Sequence, residues 1–178
     1  MFKVILMSAL CFLFLNNDSY ASEENRIGTI DFQEVLDHSL EGKSVQKKIR
    51  QKGEELKSLL EEAQVDIKRL QATYKNEALL MSEEEKKEKL TEYQQKINDF
   101  RKLQQDSGRE FSEFRAKLID NMKKEVKEYA EKKGEEEKYL LIIERRSGTV
   151  LYARNSMNIT DQIIQDYDKS KKGKKNQE

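Results

Sequence analysis

Proline is absent from this 178-residue chain, glycine occurs only seven times, and there is one cysteine and one histidine. With no proline, nothing locks the backbone against long helices. Cys11 sits in an N-terminal apolar run directly after Leu10, where a lipoprotein processing site requires a small residue, so lipidation is not expected. Beyond it the chain has no thiol, and disulfides cannot staple the fold. His38 has no second histidine or cysteine to join it, so it reads as a surface or helix-end residue and not as a metal ligand. Net charge is lacking too: Lys plus Arg and Asp plus Glu number 34 each. A nucleic-acid binder normally carries a strong basic excess, so that class is set aside. Also missing are a glycine-rich phosphate loop, a nucleophile elbow, a histidine pair and a metal-ligand cluster. Carboxylates are abundant, but nearly all have Lys or Arg three or four residues away, as on solvated helix faces. The expected class is therefore a non-enzymatic protein without a cofactor.

What is present begins with Met1, Phe2 and Lys3, followed by an almost wholly apolar run over residues 4–15 and then Asn16, Asn17 and Asp18. This is the layout of a secretory signal peptide over residues 1–21, with small residues at Ser19 and Ala21 placing cleavage after Ala21. The run is too short for a transmembrane span of about 20 residues. Cleavage removes one charge of each sign, Lys3 and Asp18, and leaves the exported chain neutral. Charged residues make up 38% of the sequence against 36% hydrophobic. A compact monomer is hard to fill from such a composition, and stability is expected to come from assembly.

Arg26-Ile27-Gly28-Thr29-Ile30 reads as a strand, and Asp31 with Glu34 forms a capping-box pattern that opens a short helix. Ser39, Glu41 and Gly42 interrupt it. From Lys43, apolar residues recur at gaps of four and three through Ile49, Leu56, Leu60, Ala63, Ile67, Leu70 and Tyr74, the mark of one narrow helical seam. The pattern weakens at Leu79-Leu80-Met81, and Ser82 with Glu85 repeats the capping signature. A second seam follows through Leu90, Tyr93, Ile97, Phe100, Phe111, Phe114, Leu118, Met122, Val126 and Tyr129, with polar Gln104 and Ser107 between. Two seamed helices joined by a short turn predict an antiparallel hairpin over residues 43–137. At 1.5 Å per residue, its arms are about 55 Å and 80 Å long. Gly53 and Gly108 fall at nearly the same height, beside the polar stretch of the seam, and are candidates for a hinge.

After Gly134 the character changes to Tyr139-Leu140-Leu141-Ile142-Ile143, then a turn at Arg146-Ser147-Gly148, then Thr149-Val150-Leu151-Tyr152-Ala153. This predicts a β-hairpin. Both strands are apolar on both faces and need cover that the chain lacks. Ile27, Ile30, Leu141, Ile143, Val150, Leu151 and Tyr152 are therefore candidates for a core shared between copies. Thr160-Asp161-Gln162-Ile163-Ile164 reads as a capped short helix. Asn158-Ile159-Thr160 matches a glycosylation acceptor, without meaning in a bacterial-type exported protein. Residues 169–178 form a basic tail expected to be disordered. The fold class is α+β: a small β-rich body, residues 22–42 and 138–168, completed by oligomerisation and bearing the helical hairpin.

The residues Ile27-Gly28-Thr29-Ile30-Asp31, Glu34-Val35-Leu36, Ser39-Leu40-Glu41-Gly42-Lys43, Leu140 to Ile143, Gly148-Thr149-Val150-Leu151-Tyr152-Ala153 and Ile159-Thr160-Asp161 resemble the Skp/OmpH family of periplasmic chaperones. The likeness covers the layout of the whole exported chain and is sequence-specific at its two ends. It implies a periplasmic homotrimer whose strands join into a central barrel with three helical tentacles, holding unfolded outer-membrane proteins without ATP. The best-known members are strongly basic, a property associated with acidic lipid and lipopolysaccharide. This chain is neutral, so membrane or lipopolysaccharide contact is not carried over. Client contact is expected from apolar side chains in excess of the seam's needs: Leu79, Leu80 and Met81 near the tip, and Phe100, Phe111, Phe114 and Met122 on the second arm. The competing expectation for each is burial inside the hairpin. The rival function is a structural or adhesive coiled coil of the cell envelope.

Overall fold

The computed structural model describes residues 26–175; the expected signal segment and the last three tail residues lie outside the described residues. The order is β1 (Arg26–Ile30), α1 (Phe32–His38), α2 (Leu40–Glu77), α3 (Glu83–Glu136), β2 (Tyr139–Glu144), a 3-10 turn (Asn155–Met157) and α4 (Thr160–Lys175). Each helix start has a local cause. Asp31 accepts a hydrogen bond from the Glu34 amide to open α1, and Ser39 accepts one from Gly42 to open α2. Ser82 and Glu85 form a reciprocal capping box at α3. These side chains take up amides that the first turn leaves without partners.

Helices α2 and α3 contain 38 and 54 residues, about 57 Å and 81 Å at 1.5 Å per residue. They run antiparallel: Lys52 pairs with Glu110, and the side chain of Phe111 lies against Gly53. Along the arm most seam residues are only half-buried, as expected of two helices with nothing else to lean on, with Leu56 and Ser107 buried, Leu90 exposed near the tip, and Met122 and Val126 buried at the root. The seam passes Phe100, Leu103, Ser107 and Phe111, while Gln104 stays exposed.

The core lies at the root of the arm. Ile30, Val35, Leu36, Val45, Met122, Val126, Ala130, Ile159, Ile163 and Tyr167 form one buried cluster drawn from β1, α1, the feet of α2 and α3, and α4. The sheet has two strands in parallel, β1 and β2, with Ile27 opposite Leu141 and Ile30 opposite Glu144. A parallel pair needs a crossover, and here the whole helical arm supplies it. On the opposite edge of β1, Asn158 bridges Thr29 and the Ile159 amide donates to the Thr29 carbonyl at 3.0 Å.

Two expectations are corrected. The predicted β-hairpin of 139–143 with 149–153 does not form: β2 takes β1 as its partner, and residues 149–153 are not a strand. Glu144 ends β2 by accepting hydrogen bonds from the amides of Phe32 and Arg146. Ser147 donates to the Glu144 carbonyl, and Gly148 takes a positive φ of 79° that turns the chain away. The basic tail is not irregular from Lys169 either, since α4 continues to Lys175. Tyr167 is buried and donates to Glu125, Lys171 pairs with the same carboxylate, and Ser170 donates to the Tyr167 carbonyl. Docking of its first turns carries the helix into the lysine run.

Candidate functional site

At the tip, the Ala78 amide donates to the Tyr74 carbonyl and the Leu80 amide to the Glu77 carbonyl, closing α2 in a tight turn. The capping box then fixes the entry to α3. The Ser82 amide, and after it the Ser82 hydroxyl, hold the Glu85 carboxyl below its usual range. With both sides of the turn tied down, Leu79 and Leu80 point outward at 96% and 89% exposure, and Met81 is half-buried. Two leucines this exposed in a fixed turn form an apolar contact surface at the end of a charged rod.

On the second arm Phe100, Phe111 and Phe114 are half-buried along the seam. Met122 is 2% exposed and belongs to the body's own core, so the folded chain does not present it on a surface. Gly53 and Gly108 lie inside unbroken helices. A β-carbon at Gly53 would sit 3.3 Å from the Phe111 ring, whereas one at Gly108 would meet nothing within 4 Å. Gly53 thus has a packing reason at the point where the arms approach closely, and Gly108 has none.

The residues singled out for a shared core divide. Ile30 is buried in the chain's own core, and Ile27, Ile143 and Val150 are half-buried. Leu141, Leu151 and Tyr152 are exposed at 47%, 97% and 82%. Leu140 joins them at 67%, a residue missed because the outward face of β2 depends on a partner more than a hundred positions away. Leu140 and Leu141 line a groove of about 1070 Å³ between α1, the foot of α3 and β2, together with Phe32, Leu36, Val126, Ala130 and Ile142, whereas Leu151 and Tyr152 lie beside Asp31, Glu34 and Arg145.

A polar lock holds α4 to the root of the arm and was also missed. Lys133, almost fully buried, donates to Glu137 and to Asp166, the latter at 3.0 Å. The Glu137 hydrogen bond above all, then Asp166, raises the Lys133 ammonium, while Lys133 holds the Asp166 carboxyl below its usual range. Burial, reinforced by the hydrogen bond to Glu125, pushes the Tyr167 hydroxyl upward. On a helical wheel Lys133 looks like any surface lysine; only the docking of α4 closes water away from it.

His38 is exposed, with its Nδ1 3.0 Å from the Glu34 carbonyl. Among the described residues no cluster of three or more His, Cys, Asp or Glu is placed to hold a metal ion. The Asn158 side chain is occupied: its Oδ1 accepts from both the amide and the hydroxyl of Thr160, which in turn accepts from the Asp31 amide. Among the described residues no helix is long and apolar enough to cross a membrane.

No curated protein matches the sequence. A solved structure from Caulobacter crescentus CB15, described as "a putative outer membrane chaperone (OmpH-like)", matches with a TM-score of 0.73. At 15% identity it covers 81% of this chain and 84% of its own, which establishes a shared fold of two long paired helices on a small body. The sequence model of the family described as "Outer membrane protein (OmpH-like)" matches residues 26–167, the entire arm together with both strands and most of α4, and the chain belongs to that OmpH-like family.

Proposed function

We propose that this protein is an ATP-independent holding chaperone of the periplasm that binds unfolded outer-membrane proteins and keeps them from aggregating. The observation that carries the reading is apolar surface mounted on long charged helices: Leu79 and Leu80 stand almost fully exposed at the end of the arm. A holdase needs apolar groups that meet a client while the surrounding charge keeps the carrier soluble. Several weak contacts on projecting arms hold a client firmly in sum and leave each contact reversible. The reading also draws on membership of the OmpH-like family and on the fold shared with the OmpH-like protein of Caulobacter crescentus.

The body supports the assembly that goes with this role. Leu140 and Leu141 are exposed on β2, whose outer edge has no partner strand among the described residues, and Leu151 and Tyr152 are exposed further on, a liability in a free monomer. A homotrimer in which copies cover one another's strands and residues 149–153 removes it and sets three arms around a cavity. The test is dilution of a urea-unfolded outer-membrane β-barrel protein into buffer containing increasing amounts of the purified protein, with aggregation followed by light scattering. Suppression without nucleotide, saturating near one trimer per client, is expected. No suppression at several-fold excess refutes the proposal and leaves a structural coiled coil in its place.

A further inference from the structure

Where the arm leaves the body, a hollow of about 420 Å³ opens between α2 and α3, with Leu36, Ile49, Phe111 and Ile119 as its apolar walls. It joins the larger groove beside β2 through Leu36, Arg115 and Ile119, which line both. Gly53 keeps it open, since the wall there is bare backbone facing the Phe111 ring. Two guanidinium groups also line it, Arg50 from α2 and Arg115 from α3, both exposed. No carboxylate lines the hollow. Among the described residues neither guanidinium makes an ion pair or hydrogen bond, so both are available to an incoming anion.

Two positive charges lining one apolar hollow make it attractive to an anion. Arginine is suited to the task, because its planar fork binds carboxylates in two parallel hydrogen bonds. We propose that this arm-root hollow is a capture site for an unfolded polypeptide segment in which an apolar side chain is flanked by Asp or Glu. The apolar side chain enters between Ile49, Phe111 and Ile119, and the carboxylates engage Arg50 and Arg115. The hollow spans two helical turns of α2, from Gln46 to Gly53, about 10 Å. That length matches a short stretch of extended peptide better than the paired acyl chains of a lipid. The proposal rests on the holding-chaperone reading and narrows it: clients are gripped at the arm root through acidic-apolar segments.

The test is fluorescence anisotropy of three labelled peptides that share one apolar sequence and differ only in carrying two Asp, two Asn or two Lys. They are titrated with the wild-type protein, with R50Q/R115Q, and with K47Q/K48Q. The last pair removes the same charge from exposed α2 positions outside the hollow. The acidic peptide is expected to bind about tenfold tighter than the Asn peptide, as two charge-assisted hydrogen bonds allow. R50Q/R115Q should shrink that preference to within about threefold, and K47Q/K48Q should leave it intact. Equal binding of the three peptides overturns the proposal, as does an equal loss in K47Q/K48Q, which would make the effect one of net charge. Displacement of bound peptide by phosphatidylglycerol vesicles, without any preference among peptides, would assign the hollow to a lipid headgroup and also overturn it. Measuring aggregation suppression with the same wild-type preparation separates the two readings. Suppression without acidic preference removes only this site, and loss of both removes the chaperone function with it.

Discussion

The tightest point in the fold is the elbow between α1 and α2, and it makes one substitution decisive. A β-carbon at Gly42 would stand 2.7 Å from the carbonyl carbon of Leu36 and 2.9 Å from its Cα, with the carbonyl oxygen closer still. Carbon atoms sit comfortably at about 3.5–4.0 Å, so Gly42→Ala must drive the two backbones apart by roughly 1 Å. No side chain can rotate to relieve this, because every atom in the way is backbone. The separation strains the buried Ser39 cap, whose Oγ accepts from the Gly42 amide at 3.0 Å, worth about 1 kcal/mol. It also strains the hydrogen bond from Gln46 to the Leu36 carbonyl at 3.1 Å, again about 1 kcal/mol. Val35 and Leu36, 0% and 7% exposed, lose part of their burial, about 2 kcal/mol. Replacing a helical glycine with alanine returns about 1 kcal/mol. The net loss is about 3 kcal/mol, a large fraction of the stability of a small domain. The same substitution at Gly108, which meets open space, should gain about 1 kcal/mol. Urea unfolding followed by far-ultraviolet circular dichroism, at several matched protein concentrations, measures both shifts. Midpoints for Gly42→Ala and Gly108→Ala that coincide within about 0.5 kcal/mol would refute the elbow contact.

Further outcomes follow from buried polar groups and caps. Thr29 is buried, and its hydroxyl is the one buried side-chain polar atom without a hydrogen-bond partner among the described residues. Thr29→Val should therefore raise the unfolding free energy by about 1 kcal/mol, and a lower urea midpoint would contradict this. The Lys133 lock predicts a pH window. Asp166, held below its usual value, contributes stability above pH 3.8 that is lost as pH falls through its folded pKa. Lys133, raised, contributes below pH 10.5 and loses that contribution as pH rises through its folded pKa. Lys133→Met should flatten stability against pH at both ends and cost about 1–2 kcal/mol at neutrality, less than a fully buried pair because both carboxylates remain a third exposed and rehydrate. An unchanged pH profile in that variant would show that the lock is absent. Ser82→Ala removes the capping box and should speed amide exchange in the first turn of α3, equivalent to about 1 kcal/mol of local stability. Exchange at wild-type rates there would remove the argument for a fixed tip.

The helices were legible because their causes are local. Seam spacing, the absence of proline, and the caps at Asp31 and Ser82 each act within a few residues, and the backbone adopted each helix they imply, whereas Ser39, read as an interruption, caps the long helix, which starts at Leu40 instead of Lys43. The break in the seam at Leu79 and Leu80 was legible too, but the same spacing allowed their burial, and only the folded turn shows both exposed. The partner of β2 was not, because the adjacent apolar segment at 149–153 and distant β1 satisfy the same pattern equally well. Choosing between them depends on the Glu144 cap to Phe32 and on the positive φ at Gly148. The helical extension of the lysine run, the burial of Lys133 and the backbone contact at Gly42 arise in the same way, from α1, α3 and α4 meeting at the root of the arm. The sequence by itself determined the long hairpin and its turn. The tertiary structure alone decided the strand pairing, the lock on α4 and the arginine-lined hollow, because each joins groups that chain periodicity does not relate.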